Sequence, residues 1–310
     1  LIKTFLSLAI VLAVLASVFV GGKLRTDVIV RRAERRYPPQ GDFITVEGIR
    51  LHYLSKGEGQ PVVLLHGDGG SVDDWTMSIF DRLAEDYRVI AFDRPGFGYS
   101  QNRGKGTRAF EQVRLIHAAL EKMGVQDPVV VGHSRGGNLS LIYGLVYPDH
   151  LRGVVTLAAA PYGGKVALHN RVLVVPGLGP LLAHSAYVPF GRGAVEAGLA
   201  SAFSPQDAPE DYVETYAAYE LRPNQLLAHA YDQVHGRALA KELASQYQHL
   251  KVPLVIVHGS ADQNVPVEQA RRLHRVVADA RLIEIPGAGH EVMFTHPQIV
   301  DSAVETAAQP

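Results

Sequence analysis

Residues 128–147 read PVVVGHSRGGNLSLIYGLVY, and three physical features follow one another in that stretch without a gap. PVVVG is a short apolar run of the kind found in a strand buried on both faces. NLSLIYGLVY continues as a helical run. Between them Gly132-His133-Ser134-Arg135-Gly136 has the spacing G-x-S-x-G. As a bare string this spacing is a weak motif; strand, sharp turn and helix in succession give it meaning. A serine hydroxyl is a poor nucleophile unless it is lifted out of the sheet and given a base, and a tight turn does the lifting. Small residues at 132 and 136 let the backbone fold back on itself. The N–H of Arg135, at the helix start, has no intrahelical acceptor and can donate to an oxyanion above Ser134. The plainer reading, a serine that only caps a helix, would stand if nothing elsewhere in the chain matched it.

Three other stretches match it. In LLHGDGG (64–70) an apolar run ends in a glycine-rich loop, and the backbone N–H of Asp68 is the candidate for a second oxyanion donor, ahead of Gly69. Only the N–H would help, so the Asp68 carboxylate is expected to point away. A phosphate loop would need a Lys followed by Ser or Thr, and neither is present. In LVIVHGSADQNVP, Asp262 lies a few residues after a strand-like run; in IEIPGAGHEVMF, His290 follows the next one. Most of the 14 histidines must be ordinary surface or structural residues. His290 is singled out by position: after a strand, in a glycine-rich loop, downstream of a candidate acid.

The remaining apolar runs supply the sheet: FITVE (43–47) and RLHYL (50–54) as a hairpin around Glu47-Gly48, then VVLL (62–65), RVIAF (88–92), GVVTLA (153–158), LVIV (254–257) and RLIEI (281–285). A helical stretch over 107–123 places Val113, Ile116, Leu120 and Met123 on one face. Alternating strand and helix predicts an α/β protein with a mostly parallel, doubly wound sheet, formed by residues 42–160 and 251–310. About 90 residues separate Ala160 from Leu254, too many for a simple connection. DAPEDYVETYAAYEL, with Asp207 as cap and Pro209 in the first turn, and the stretch 224–248 after Pro223 make this interval a helical cap over 161–250.

With these motifs the chain resembles the α/β-hydrolase superfamily from about Asp42 to its end. AFDRPGFGYS (91–100) is similar to that family's loop after the fourth strand, HGSADQNVP to its acid loop, and Ser, Asp, His is the family's chain order. YPPQG, LHYLSKGEG and LRPNQ resemble capped bacterial esterase-like members with a hydrophobic leader. The resemblance implies Ser134 as nucleophile, His290 as general base, Asp262 as the acid that orients it, and the N–H groups of Asp68 and Arg135 as oxyanion hole. It implies hydrolysis of small-molecule carboxylic esters through an acyl-enzyme, with no metal and no organic cofactor. The apolar cap segment VLVVPGLGPLLAHSAYVPFG, read as an acyl pocket, extends this to lipophilic esters. The alternatives are a carbon–carbon bond hydrolase of meta-cleavage-type diketones, which uses the same triad, and a non-catalytic binding protein of the same fold. Ser134 argues against the aspartate-nucleophile branches, and no acid follows LAAAP (157–161) to rival Asp262.

Composition narrows the class further. Thirty basic against 31 acidic residues in 310 produce no field that would draw the protein onto nucleic acid, and the absence of cysteine excludes disulfides, thiolate catalysis and cysteine-bound zinc. Residues 4–22, TFLSLAIVLAVLASVFVGG, carry no charge and match about one bilayer crossing at 1.5 Å per residue. A retained anchor, a cleaved signal peptide and a buried helix compete for residues 1–36. The lack of a small-x-small cleavage site favours a membrane anchor, in a bacterial inner membrane. Lys3 precedes the span, while Lys23, Arg25, Arg31, Arg32, Arg35 and Arg36 follow it, which places the body in the cytoplasm by the positive-inside rule. A periplasmic or secreted body after signal cleavage is the alternative.

Overall fold

The apolar runs form eight strands: β1 (Asp42–Val46), β2 (Ile49–Lys56), β3 (Pro61–Leu65), β4 (Arg88–Phe92), β5 (Val129–His133), β6 (Gly153–Leu157), β7 (Leu254–Gly259) and β8 (Arg281–Ile285). The longer helices are α1 (Ile2–Arg36), α2 (Ala109–Lys122), α3 (Arg135–Val146), α4 (Arg192–Phe203), α5 (Glu210–Glu220), α6 (Pro223–Leu243), α7 (Glu268–Val276) and α8 (Pro297–Ala308). The computed structural model describes residues 2–102 and 106–309, except the side chains of residues 2, 3, 8, 9, 11, 12, 14 and 15.

The strands form one sheet in the order β1-β2-β4-β3-β5-β6-β7-β8. β1 and β2 make the antiparallel hairpin, β2 runs antiparallel to β4, and every later pairing is parallel. Side chains alternate across the pleat, so each apolar run supplies two layers. Val63, Leu65, Val130, Val154 and Ile256 face Val113, Ile116 and Leu120 of α2 and Leu139 and Ile142 of α3. Val62, Leu64, Val131, Val155 and Val257 face Trp75, Phe80 and the Val300, Ala303, Val304 stripe of α8. Each fully buried Val, Leu or Ile contributes about 1.5–3 kcal/mol, and two covered faces explain why the central strands are apolar without interruption.

Between β6 and β7 the chain is helical. Small clusters of its own hold it together, among them Leu173 with Ala183 and Ala230, and Leu199 with Phe203 and Tyr212. α5 starts at Glu210, with Pro209 at φ −59°, ψ 133° before it, and Asp207 does not cap it. Proline in an extended conformation ends the preceding loop, and the helix begins only after it.

Residues 4–22 require a correction. Among the described residues no helix is long and apolar enough to cross a membrane, so the membrane-anchored localisation and the orientation built on it do not stand. The apolar stretch is the first part of the 35-residue α1, which runs on without a break through Lys23, Arg25, Asp27, Arg31 and Arg32. That later part docks on the helical insertion. Thr26 Oγ1 donates to the His184 carbonyl at 2.7 Å, and Arg25 lies over the Phe190 ring. Ala33 is buried, and the Tyr99 hydroxyl donates to the Tyr37 carbonyl. The side chains at 8, 9, 11, 12, 14 and 15, within the expected span, and that of Lys3 before it lie outside the described residues.

A Cβ at Gly22 would lie 2.3 Å from the Ser185 carbonyl oxygen, so α1 touches the insertion backbone to backbone there. Gly22→Val should therefore cost about 1–3 kcal/mol of stability and speed hydrogen exchange at 183–188. Exchange rates equal to wild type would show that α1 is not seated on the insertion.

Candidate active site

β5 ends at His133 and α3 begins at Arg135, so one residue makes the whole turn. Ser134 makes it at φ 50°, ψ −113°, a conformation that costs a non-glycine residue on the order of 1–3 kcal/mol. Its surroundings leave no alternative. The Ser134 N–H donates to the Leu157 carbonyl at 2.8 Å, tying the turn to β6. A Cβ at Gly132 would lie 2.2 Å from the Gly136 backbone, and one at Gly136 would lie 1.9 Å from the Leu65 carbonyl oxygen. β3, β5 and α3 thus meet at a distance that admits no side chain, and the serine is pushed out above the sheet.

The loop after β3 forms a second wall. His66 is buried, and burial together with the nearby Arg94 guanidinium holds its imidazole neutral, well below the usual histidine range. Its Nε2 accepts the Arg94 N–H at 2.9 Å, so Nδ1 carries the proton and donates to the Gly67 carbonyl at 2.8 Å. The buried Arg94 side chain donates to the same carbonyl at 2.9 Å and to Asp232 on α6 at 2.7 Å. With the Gly67 carbonyl turned inward, the next N–H, that of Asp68, has no acceptor among the described residues, and neither has that of Arg135. The Asp68 carboxylate lies 3.5 Å from Arg135 Nε and 3.6 Å from Arg94 Nη2 and accepts a 2.7 Å bond from Gln233.

β7 and β8 carry the other two residues. Asp262 Oδ1 accepts the N–H groups of Asn264 and Val265, both at 2.8 Å, and Oδ2 accepts His290 Nδ1 at 2.6 Å. His258, at the end of β7, reaches the same Oδ2 at 3.1 Å. Burial by itself would raise this carboxyl; the bonds from His258, His290 and the backbone outweigh it and hold Asp262 ionised far below the usual carboxylate range. The His290 N–H donates to the Ala202 carbonyl at 2.8 Å, so α4 of the insertion holds the loop.

Ser134, His290, Asp68 and Arg135 all line one cavity of about 1080 Å³. Asp262 stands behind His290. Among the described residues no hydrogen bond joins the Ser134 hydroxyl to the His290 ring. Of the apolar segment 172–191, only Tyr187 and Gly191 reach this cavity; Val175, Leu178, Leu181 and Phe190 are exposed. It is not the acyl pocket that its composition suggested.

The lining also holds residues that sequence reasoning passed over. Glu291 is a buried carboxyl 3.7 Å from His133, and Asp74, bonded by the Tyr212 hydroxyl, is a second buried carboxyl in the lining. Burial pushes Asp74 up to about 7, and it raises Glu291 well above the carboxylate range, so both favour the neutral form. Glu220 and His229 form a 2.7 Å pair on the insertion side. His229, Gln233, Arg237 and Lys241 all face the cavity from α6, and their spacing of four within the helical stretch 224–248 was a signal that could have found them. Nothing in the sequence marked His258, Asp74 or Glu291.

Sheet order, turn and insertion define the α/β-hydrolase class, and comparison with known proteins agrees. The chain belongs to the alpha/beta hydrolase fold family, whose sequence profile matches residues 60–297. This membership supports hydrolase activity. The chain is similar to the 2-hydroxy-6-oxo-6-(2'-aminophenyl)hexa-2,4-dienoic acid hydrolase of Metapseudomonas resinovorans, 27% identical over 88% of this chain and 92% of that protein. It is also similar to the 2-hydroxymuconate semialdehyde hydrolase of a Pseudomonas strain, 27% identical over 85% of this chain and 92% of that one. Among solved structures, a bacterial membrane phospholipase A superposes with a TM-score of 0.70 over 100% of both chains. At 21% identity that likeness speaks for the fold alone.

Asp74 makes stability depend on pH. Its folded-state value of about 7 exceeds the ordinary 3.8, so the folded protein keeps a proton that the unfolded chain loses between those values. The contribution is present below pH 3.8 and disappears as pH rises toward 7. Asp74→Asn should accordingly gain stability relative to wild type between pH 5 and pH 8. Parallel melting temperatures of the two proteins over that interval would remove Asp74 as the source.

Proposed function

We propose that the protein is a serine hydrolase that cleaves a carbon–carbon bond in an anionic, conjugated diketone of the meta-cleavage type, with the helical insertion of residues 161–250 as the cap over Ser134. The observation that carries this reading is the charge of the cavity. Lys165, Arg237 and Lys241 stand at its mouth and join no ion pair among the described residues. Deeper in, Asp68 is offset by Arg135 and Glu220 by His229, while Asp74 and Glu291 tend to neutrality. Such a lining favours a ligand with a carboxylate. The likeness to the two dienoic acid and semialdehyde hydrolases supports the same substrate class.

In this mechanism Ser134 Oγ attacks the ketone carbon while His290 Nε2 takes its proton. Asp262 holds the imidazole with Nδ1 protonated and stabilises the imidazolium without itself taking the proton. The tetrahedral oxyanion accepts the N–H groups of Asp68 and Arg135, each worth on the order of 3 kcal/mol in the barrier. Collapse breaks the carbon–carbon bond, and the electron pair delocalises through the conjugated chain to the distant carbonyl. The His290 proton goes to the carbon released. Water, deprotonated by His290, then hydrolyses the acyl-serine.

A second reading, hydrolysis of carboxylic esters, has its own support. Val195, Leu199, Leu221 and Leu226 form an apolar wall in the same cavity, suited to an acyl chain, lipophilic ones included.

Ser134→Ala should lower turnover at least about a thousandfold and abolish labelling by a fluorophosphonate. A folded wild-type protein that takes no label would instead be a binding protein. Side-by-side kinetics on a 2-hydroxy-6-oxo-dienoic acid and on p-nitrophenyl esters separate the two chemistries; turnover of the esters alone defeats the carbon–carbon reading. Replacing Arg237 and Lys241 together by Ala should raise KM for the acid several-fold in low salt, an effect that fades at about 1 M salt, where the screening length is about 3 Å. A KM indifferent to both changes would leave the cationic mouth without a role.

A further inference from the structure

We infer that His229 is the deep anion contact of the cavity, an imidazole held by Glu220 that takes the carboxylate of a conjugated dienoic acid on the insertion side of Ser134. The inference deepens the carbon–carbon reading, on which the identity of the ligand rests. His229 is on α6, one turn before Gln233, and Gln233 donates to the Asp68 carboxylate. The cavity-facing row therefore leads from Lys241 at the mouth, through Arg237 and Gln233, to His229 next to the oxyanion loop.

Glu220 fixes the ring. Its Oε1 takes Nδ1 at 2.7 Å; among the described residues Oε2 has no hydrogen-bond partner, so its charge acts chiefly on the histidine. The pair rests on the loop that carries Asp68, since a Cβ at Gly69 would come 2.7 Å from Glu220 Oε2. With Nδ1 spent on Glu220, Nε2–H is the donor left for a ligand. The side chain keeps 22% of its exposure, in keeping with one edge open to the cavity.

Several groups face His229. Glu220 on α5, Asp68 on the loop after β3 and Asp232 on α6 favour its cation; His169, on the helix Leu168–Leu173, lies near it, and Arg135 on α3 partly offsets Asp68. Burial alone would lower the imidazole, but the acids prevail, Glu220 foremost, and raise it to about 9. At neutral pH the contact is an imidazolium, able to bind a carboxylate and to accept the charge that reaches the far end of the substrate when the carbon–carbon bond breaks.

The test uses hexa-2,4-dienoate and its neutral isostere hexa-2,4-dienamide as inhibitors of p-nitrophenyl acetate hydrolysis by the full chain in about 1 M salt, which screens Lys165, Arg237 and Lys241 at the mouth, read as the ratio of their inhibition constants. Wild type should prefer the carboxylate at least about tenfold at pH 7, and the preference should disappear as pH rises through about 9. His229→Gln should bring the ratio close to one at all pH values. Glu220→Gln, which keeps the imidazole but removes the charge that sustains it, should move the loss of preference down by about a pH unit or more. A ratio near one in wild type, or a ratio that survives His229→Gln, overturns the inference. So does a Glu220→Gln profile superimposable on wild type, and this variant decides the matter if His229→Gln does not fold. A His229-dependent ratio in a protein that turns over no dienoic acid sinks the carbon–carbon reading and leaves the anion site standing. Turnover of the acid with a His229-independent ratio does the reverse.

Discussion

The backbone of Ser134 is the constraint on which the site depends. A residue at φ 50° is held there because β3, β5 and α3 approach within contact at Gly132 and Gly136, and because its N–H is bonded to β6. The strain is local, and its cost is met by the packing of the sheet core on either side. Once that turn is made, the hydroxyl stands above the sheet, the first N–H of α3 points into the cavity, and parallel pairing does the rest. β3, β7 and β8 run in the same direction as β5, so the loops carrying Asp68, Asp262 and His290 leave the sheet at the same edge.

Buried charge is kept in matched sets around that edge. Asp262 is ionised because His290 and two backbone N–H groups donate to it, with His258 against the same carboxylate oxygen. Arg94, fully enclosed, shares its protons among Gly67, Gln112 and Asp232, and so links the loop after β3 to α2 and to α6. Among the described residues Asp74 and Glu291 have no such cation, and burial shifts both toward the neutral form. Of the two, Glu291 lies beside His133, and its neutral form spares that corner of the cavity a negative charge.

The helical insertion and α1 belong to the site through contact. α4 holds the His290 loop by its N–H, α6 supplies the cationic row, and α1 braces the segment at 184–185 from outside. A window of hydropathy over residues 4–22 predicts a membrane span, and among the described residues no helix meets that requirement. α1 continues past them as one helix whose second half packs through Gly22, Thr26 and Ala33 and keeps its basic side chains exposed.

The apolar runs from 43 to 285 determined the strands, because a strand covered on both faces needs uninterrupted Val, Ile and Leu, a demand visible residue by residue. Gly132 to Gly136 marked the turn for a similar reason: only glycine fits where backbones touch. Asp262 and His290 were legible from their places after strands, and their 2.6 Å bond is where parallel pairing puts them. His258, Asp74 and Glu291 were not legible, since an acid or histidine at a strand end or in a short helix has no local signature of burial. Likewise Glu220 and His229 lie nine residues apart on two helices, and only the crossing of those helices makes them a pair. Local pattern records what one segment needs from water and from its neighbours. Which charges meet, and which lose their solvent, is decided when separate segments close around the same cavity.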